Sequence, residues 1–195
     1  YFPQDSIMVW KSSRVLELQS MLTHGIRDYM IQVFKELIPK EVCNLLIEEG
    51  LTRPQLNAGI GEDNLVSEGR STKISFIGNQ GLKDYIHQLA ISKYESYDIT
   101  EAEDIQFATY NVRDFYGWHV DSDAINKRVL SVTIQLSDPK DYKGGNLVFK
   151  VDPMERAQGT VIIFPSNIRH QVTRVTKGTR YSLVQWFKGH ESSNK

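Results

Sequence analysis

The sequence predicts an α+β fold that is mainly β: helices first, then a sandwich or barrel of short strands that those helices buttress on one side. Two observations predict it. Apolar residues recur at helical spacing in the segments before about residue 97, and from residue 105 the period shortens to that of strands separated by turn chemistry. The order, helices and then many short strands, is what suggests the buttressed sandwich or barrel.

The elements follow in chain order. Val15, Leu18, Met21 and Leu22 set a first helix, and the first third reads as mainly helical. Pro39 opens a second, "PKEVCNLLIEEG", with Val42, Cys43, Leu46 and Ile47 on one face and Gly50 as its stop. Residues 53–71 hold Gly59, Gly61 and Gly69 amid mixed charge and read as a long mobile loop. Such loops serve as lids, and Leu56, Ile60, Leu65 and Val66 would be its apolar groups. A third helix is expected in "GLKDYIHQLAISKYESY", with Leu82, Tyr85, Ile86 and Leu89 buried. Then come "IQFATY", "WHVD", "RVLSVTIQLS", "NLVFKV", "GTVIIFP", "HQVTRV" and "TRYSLVQWF", parted by "DPKDYKGG", "DPMERAQG" and "VTKGT". The 195 residues form one domain, with 1–104 as helical support and mobile loop and 105–189 as the strand-rich core.

Composition narrows the function classes. Net charge is −1 with 24% charged residues and no long basic run, which argues against a nucleic-acid partner. No apolar stretch approaches the roughly 20 residues of a membrane helix. No secretory signal is read, although the chain begins at Tyr1, which leaves its true start open. Cys43 is the only cysteine, so a disulfide framework is excluded and a cytoplasmic location is expected.

The chemistry concentrates in "YGWHVDSD". His119 and Asp121 stand at i and i+2, a spacing that points both side chains to one face of a strand. The pair could be an ion pair, a turn cap or two-thirds of a metal site. His24 and His87 fall on helices and His190 in the polar tail, which leaves His170, 51 residues after His119, as the third ligand. Two histidines and one carboxylate make the facial triad of non-haem Fe(II) oxygenases. Arg180 falls ten residues after His170, and a hairpin is expected to return it beside the His170 strand. Its guanidinium fork suits a carboxylate. Fe²⁺, Asp121, a dianionic 2-oxo acid and Arg180 together sum to zero charge.

These motifs resemble the Fe(II)/2-oxoglutarate-dependent dioxygenases, in the prolyl-4-hydroxylase-like branch. The resemblance runs from about Tyr110 to Trp186 through "HVD", "RVLSVTIQLS", "GGNLVF", "GTVIIFPSNIRHQV" and "GTRYSLVQW". "FKELIPKEVCNLLIEEG" resembles the entry helix of the same branch. The resemblance implies a double-stranded β-helix, or jelly roll, over the core. It implies Fe(II) on His119, Asp121 and His170, and 2-oxoglutarate held by Arg180 with help from Tyr110 and Ser182. Gln135 stands where many relatives have a cosubstrate-facing tyrosine. Trp186 matches an aromatic near the substrate mouth. Arg70 and Trp118 are further substrate candidates, beside the plainer readings of a solvated loop arginine and a core tryptophan. Arginine at the basic position differs from the lysine usual in collagen-type prolyl hydroxylases. The pair Arg174 and Arg180 resembles one in nucleic-acid demethylases, but here Arg180 fills the cosubstrate role at a different spacing. The implied function is hydroxylation by O₂ of an amino-acid residue, most simply prolyl in a peptide or protein, with ascorbate supportive. The alternatives are a lysyl residue, a free amino acid or small molecule, and a non-catalytic jelly-roll binding module.

Overall fold

A computed structural model describes residues 31–58, 69–150 and 152–191 of the chain. The helix expected over Val15–Leu22, and Gly59, Ile60, Gly61, Leu65 and Val66 of the expected lid, lie outside these residues. Two antiparallel sheets face one another, and the two described helices cover the outer face of the larger.

The larger sheet has eight strands. Its order is β1 (Gln32–Phe34), β12 (Val161–Pro165), β8 (Arg128–Gln135), β15 (Arg180–Glu191), β6 (Ile105–Tyr110), β4 (Lys73–Ile77) and β2 (Leu56–Asn57), with β5 (Tyr97–Ala102) also paired to β15. The smaller sheet has five, in the order β11 (Asp152–Pro153), β10 (Leu147–Phe149), β13 (His170–Val172), β7 (Phe115–His119) and β3 (Arg70–Ser71). A short ribbon of β9 (Lys143–Gly144) and β14 (Val175–Lys177) stands apart.

Strand alternation builds two cores from one sheet. Ile105 and Phe107 of β6, Leu130, Val132 and Ile134 of β8, Val161 and Ile163 of β12, and Leu183 and Phe187 of β15 all face the helices. The intervening residues face the other sheet, where Ala108, Tyr110, Ile162 and Phe164 join Leu147, Phe149 and Val172. Among these apolar positions β8 places Ser131, Thr133 and Gln135, and β15 places Arg180 and Ser182, all buried. Polar side chains inside a core are costly unless partnered, so this row marks the site.

Helix α1 (Lys40–Thr52) and helix α2 (Gln80–Lys93) carry the covering stripes, Cys43 and Leu46 on the first and Leu82, Ile86, Leu89 and Ala90 on the second. The Asn79 side chain caps α2 by accepting from the Leu82 N–H at 2.9 Å.

Several expectations are corrected. Gly50 does not stop α1, which continues to Thr52; a Cβ there would lie 2.4 Å from the Phe107 ring, so the glycine lets helix and sheet approach. α2 ends at Lys93, short of "YESY", whose Tyr97 begins β5. The first third is not simply helical, since β1 extends the larger sheet. Residues 1–104 are therefore more than helical support: β1, β2, β4 and β5 complete one sheet and β3 the other. The 53–71 segment is not loop throughout, because Leu56–Asn57 pairs with β4 and Arg70–Ser71 with β7.

Candidate active site

His119 ends β7 and His170 begins β13, and the register sets them opposite one another. This cross-strand pair, not their separation along the chain, defines their distance. Asp121 lies two residues beyond the end of β7, so the strand alone does not align it with His119. Its N–H donates to the Ser166 carbonyl at 2.9 Å, and its carboxylate accepts from Ser131 Oγ at 2.6 Å. One potential ligand atom from each of His119, Asp121 and His170 lies within 4.8 Å of the others. The Nε2 atoms of His119 and His170 stand 3.4 and 3.6 Å from the two Asp121 oxygens.

Both imidazoles are oriented by their own backbone. Nδ1 of His119 donates to the Gly117 carbonyl at 2.8 Å, and Nδ1 of His170 to the Ile168 carbonyl at 2.9 Å. A carbonyl only accepts, so Nδ1 of each ring carries a proton, and Nε2 is the atom each ring turns toward Asp121. Such outer hydrogen bonds are the usual means of orienting a metal-binding histidine. Tyr116 stacks on His119 with centroids 3.5 Å apart, and Phe164 meets His170 edge-on at 4.8 Å. Burial pushes the Asp121 carboxyl upward, but hydrogen bonding to His119, the charge of His170 and the Ser131 bond outweigh it and hold it at about 2. Burial likewise favours the neutral His170 ring. A carboxylate and two imidazoles form the donor set an octahedral Fe(II) accepts on one face. The three residues fit that ion.

Arg180 reaches the same cavity from the other side. No hairpin returns it beside β13: β15 pairs with β6 and β8, so Arg180 belongs to the larger sheet and faces the smaller across the core. It is 2% exposed. Nη1 donates to Ser182 Oγ at 3.1 Å and Nη2 to Gln135 Oε1 at 2.9 Å, while Nε has no partner. The guanidinium lies 5.1 Å from the Tyr110 ring centroid. Gln135 thus presents its amide oxygen to the arginine, and no carboxylate among the described residues pairs with Arg180. Arg174, by contrast, is exposed on the outside, stacked on Phe115 at 4.4 Å and bonded to the Arg113 carbonyl.

A narrow inner cavity of about 40 Å³ is lined by His119, Asp121 and His170 together with Tyr110, Arg180 and Ser182. It adjoins an open cleft of about 980 Å³, and Asp121, Arg70, Tyr116 and Trp186 line both. Arg70 is not solvated: it is buried, with its guanidinium 4.3 Å from the Tyr116 ring centroid. Trp118 is neither core nor part of the cavity. It is 39% exposed on the outside of β7 beside Arg169 and lines neither space.

Sequence reading missed several contributors. Ser131 and Thr133 could have been found from their alternation with apolar residues in "RVLSVTIQLS". Arg128 grips Glu103 through two hydrogen bonds of 2.8 and 2.7 Å and stacks on Trp186 at 3.9 Å, a contact with no local sequence signal.

Comparison with known proteins agrees with this geometry. The sequence pattern of the 2OG-Fe(II) oxygenase superfamily matches residues 105–188. A PKHD-type hydroxylase of Hyphomonas neptunium is 39% identical over 85 residues, covering 38% of each chain. One from Gloeothece citriformis is 38% identical over 88 residues, covering 41% of this chain and 40% of the relative. These two matches span about two fifths of the relatives' length. A third, from Prochlorococcus marinus, is 29% identical over 157 residues, 77% of this chain and 70% of the relative. Among solved structures, a Trichoplax adhaerens prolyl hydroxylase in complex with a hypoxia-inducible-factor peptide superposes with a TM-score of 0.76 at 19% identity, covering 92% of each chain. A viral collagen prolyl hydroxylase from Paramecium Bursaria Chlorella virus-1 gives 0.67 at 19% identity, covering 84% of this chain and 98% of that one. The shared fold is the jelly roll expected from the motifs.

Proposed function

We propose that the protein, whose residues 105–188 match the sequence pattern of the 2OG-Fe(II) oxygenase superfamily, is an Fe(II)- and 2-oxoglutarate-dependent dioxygenase that hydroxylates a prolyl residue of a peptide or protein. The observation that carries this reading is the meeting, in one cavity, of the His119–Asp121–His170 cluster and an Arg180 that has no carboxylate partner among the described residues. When bound at the triad, iron supplies the activation of O₂ coupled to oxidative decarboxylation of 2-oxoglutarate.

The chain's own residues do the rest. His119 and His170 present Nε2 with the proton held on Nδ1, and Asp121 stays ionised under its Ser131 bond. Arg180 receives the far carboxylate of the cosubstrate, with Gln135 and Ser182 fixing the plane of its fork and Tyr110 closing the pocket beside it. Tyr116 and Trp186 stand where the inner cavity opens into the cleft and limit the entry of water. The prolyl substrate is supported by the prolyl hydroxylases among the structural neighbours, and the polypeptide by a cleft of about 980 Å³. Ascorbate would keep the metal reduced. A cytoplasmic site of action is supported by the single cysteine, buried and free. No helix among the described residues is long and apolar enough to cross a membrane.

The test is anaerobic reconstitution with Fe(II), then turnover with 2-oxoglutarate, ascorbate and proline-containing peptides. Succinate and a peptide heavier by one oxygen atom are expected in equal amounts. Failure to form succinate with iron bound would sink the dioxygenase reading, and a lysyl product would correct the substrate alone.

A further inference from the structure

The open cleft carries apolar groups that the chemistry at the triad does not use. Phe76, Val120 and Ile125 line it and are 47%, 46% and 91% exposed. Ile125 stands on a turn locked by hydrogen bonds. Asp123 Oδ1 accepts from the N–H groups of Ile125 and Asn126, both at 2.7 Å, and Asn126 Oδ1 accepts from those of Asp123 and Arg128 at 3.1 and 3.0 Å. Asn126 Nδ2 donates to the backbone carbonyl of Asp121 at 2.8 Å. The turn therefore hangs from a candidate metal ligand, and the isoleucine is held at a fixed offset from the reacting centre. An aliphatic side chain standing in water gains free energy only when another apolar group covers it, and a rigid turn loses little entropy when that happens.

The charges of the cleft point the same way. Lys83 pairs with Asp104, Arg128 with Glu103 and Lys188 with Glu101, and the Asp123 carboxylate is occupied by the turn itself. Arg70, Asp121 and Asp123 line the cleft beside these pairs, so its charges are of mixed sign rather than a field of one sign that would select a charged ligand. A cleft of about 980 Å³ matches the upper end of small-molecule pockets, near 1,000 Å³, and a prolyl ring alone would leave most of it empty.

We propose that Ile125, with Val120 and Phe76, forms a specificity rim that grips one large apolar side chain of a polypeptide substrate, away from the residue that reacts. The proposal rests on the hydroxylase reading above. Its occupant is the substrate chain itself, because the rim is continuous with the cleft that reaches Asp121.

The probes are peptides of about twelve residues, long enough to extend about 40 Å. Each carries one proline in an Ala/Gly/Ser background and one leucine moved through the other positions. Turnover gives kcat/KM, and fluorescence anisotropy with Mn(II) and 2-oxoglutarate gives binding without turnover. One leucine placement is expected to raise kcat/KM about tenfold over the leucine-free peptide, through KM, and the same placement should tighten binding. Ile125→Ser should bring that ratio close to one, whereas Ile125→Val should keep most of it. The rim is overturned if no placement matters, if the preference survives Ile125→Ser, or if Ile125→Ser instead splits a dimer of the free protein while leucine has no effect. Peptides that are hydroxylated without leucine preference sink the rim and leave the hydroxylase reading intact. Leucine-dependent binding lost in Ile125→Ser, with no turnover of any peptide, keeps the rim and sinks the hydroxylase reading.

Discussion

The two sheets that enclose the cavity are built differently. The larger is covered on both faces, so β6 is buried at every residue. The smaller is covered on one face only: β7 is half-buried along most of its length, and Trp118 looks outward. The larger sheet contributes Arg180, Gln135 and Ser182; the smaller contributes His119 and His170, with Asp121 just past β7. An anchor embedded in a doubly covered sheet inherits its position from the whole core. Ligands on short strands have less packing to rely on, and here each histidine is oriented by a carbonyl two residues back in its own chain. Global packing holds one half of the site, and local hydrogen bonds hold the other.

The most drastic way to break this division is to remove a ligand from the smaller sheet. His119→Ala, Asp121→Ala or His170→Ala should each reduce iron content and succinate formation to background, since two ligands do not make a facial site. A variant that keeps one iron per chain and wild-type turnover would remove its residue from the triad. The next largest effect belongs to the larger sheet. Arg180→Ala should raise the KM for 2-oxoglutarate roughly tenfold to hundredfold, from the loss of about 1.5–3 kcal/mol in a charge-assisted contact, with iron content unchanged. Arg174→Ala, on the outside, should leave that KM where it was; the reverse pattern would move the anchor. The smallest effect lies behind the larger sheet. Burial pushes the Cys43 thiol from 9.0 up to about 12, against a weaker opposing backbone hydrogen bond. The folded state thus favours the neutral thiol, and this contribution is complete below pH 9.0 and lost as pH rises toward about 12. Cys43 should resist alkylation in the folded protein at pH 8 and react fully in denaturant. Rapid labelling of the native chain would show that α1 does not seal that face.

The parts of this arrangement legible in the sequence were those with a period or a fixed spacing. Alternation in "RVLSVTIQLS" and "TRYSLVQW" marks strands, and the HxD with its distal His170 marks the three side chains that the fold gathers. What escaped depends on partners distant in sequence. Gly50 looks like a stop until Phe107 is seen beneath it. Arg180 follows His170 by ten residues, but spacing does not say that the chain crosses to the other sheet between them. Arg70 and Trp118 exchanged their expected surroundings because β3 pairs inward as an edge strand while alternation turns Trp118 outward. The paired ends of the 53–71 segment are likewise non-local, since each is fixed by a strand much later in the chain.

The neutral surroundings of Arg180 have a thermodynamic corollary. A guanidinium 2% exposed, bonded to a hydroxyl and an amide, is a desolvated cation whose charge is met only when an anion arrives. Folding and ligand occupancy are then linked: a carboxylate that enters the cavity repays part of the desolvation cost incurred when the chain folded. At a hundredfold excess over its dissociation constant such a ligand stabilises the native state by about 2.7 kcal/mol. Succinate retains the far carboxylate of 2-oxoglutarate, so this linkage does not distinguish cosubstrate from product. A tighter grip on that carboxylate is therefore expected to slow departure of the product as much as it favours binding of the cosubstrate.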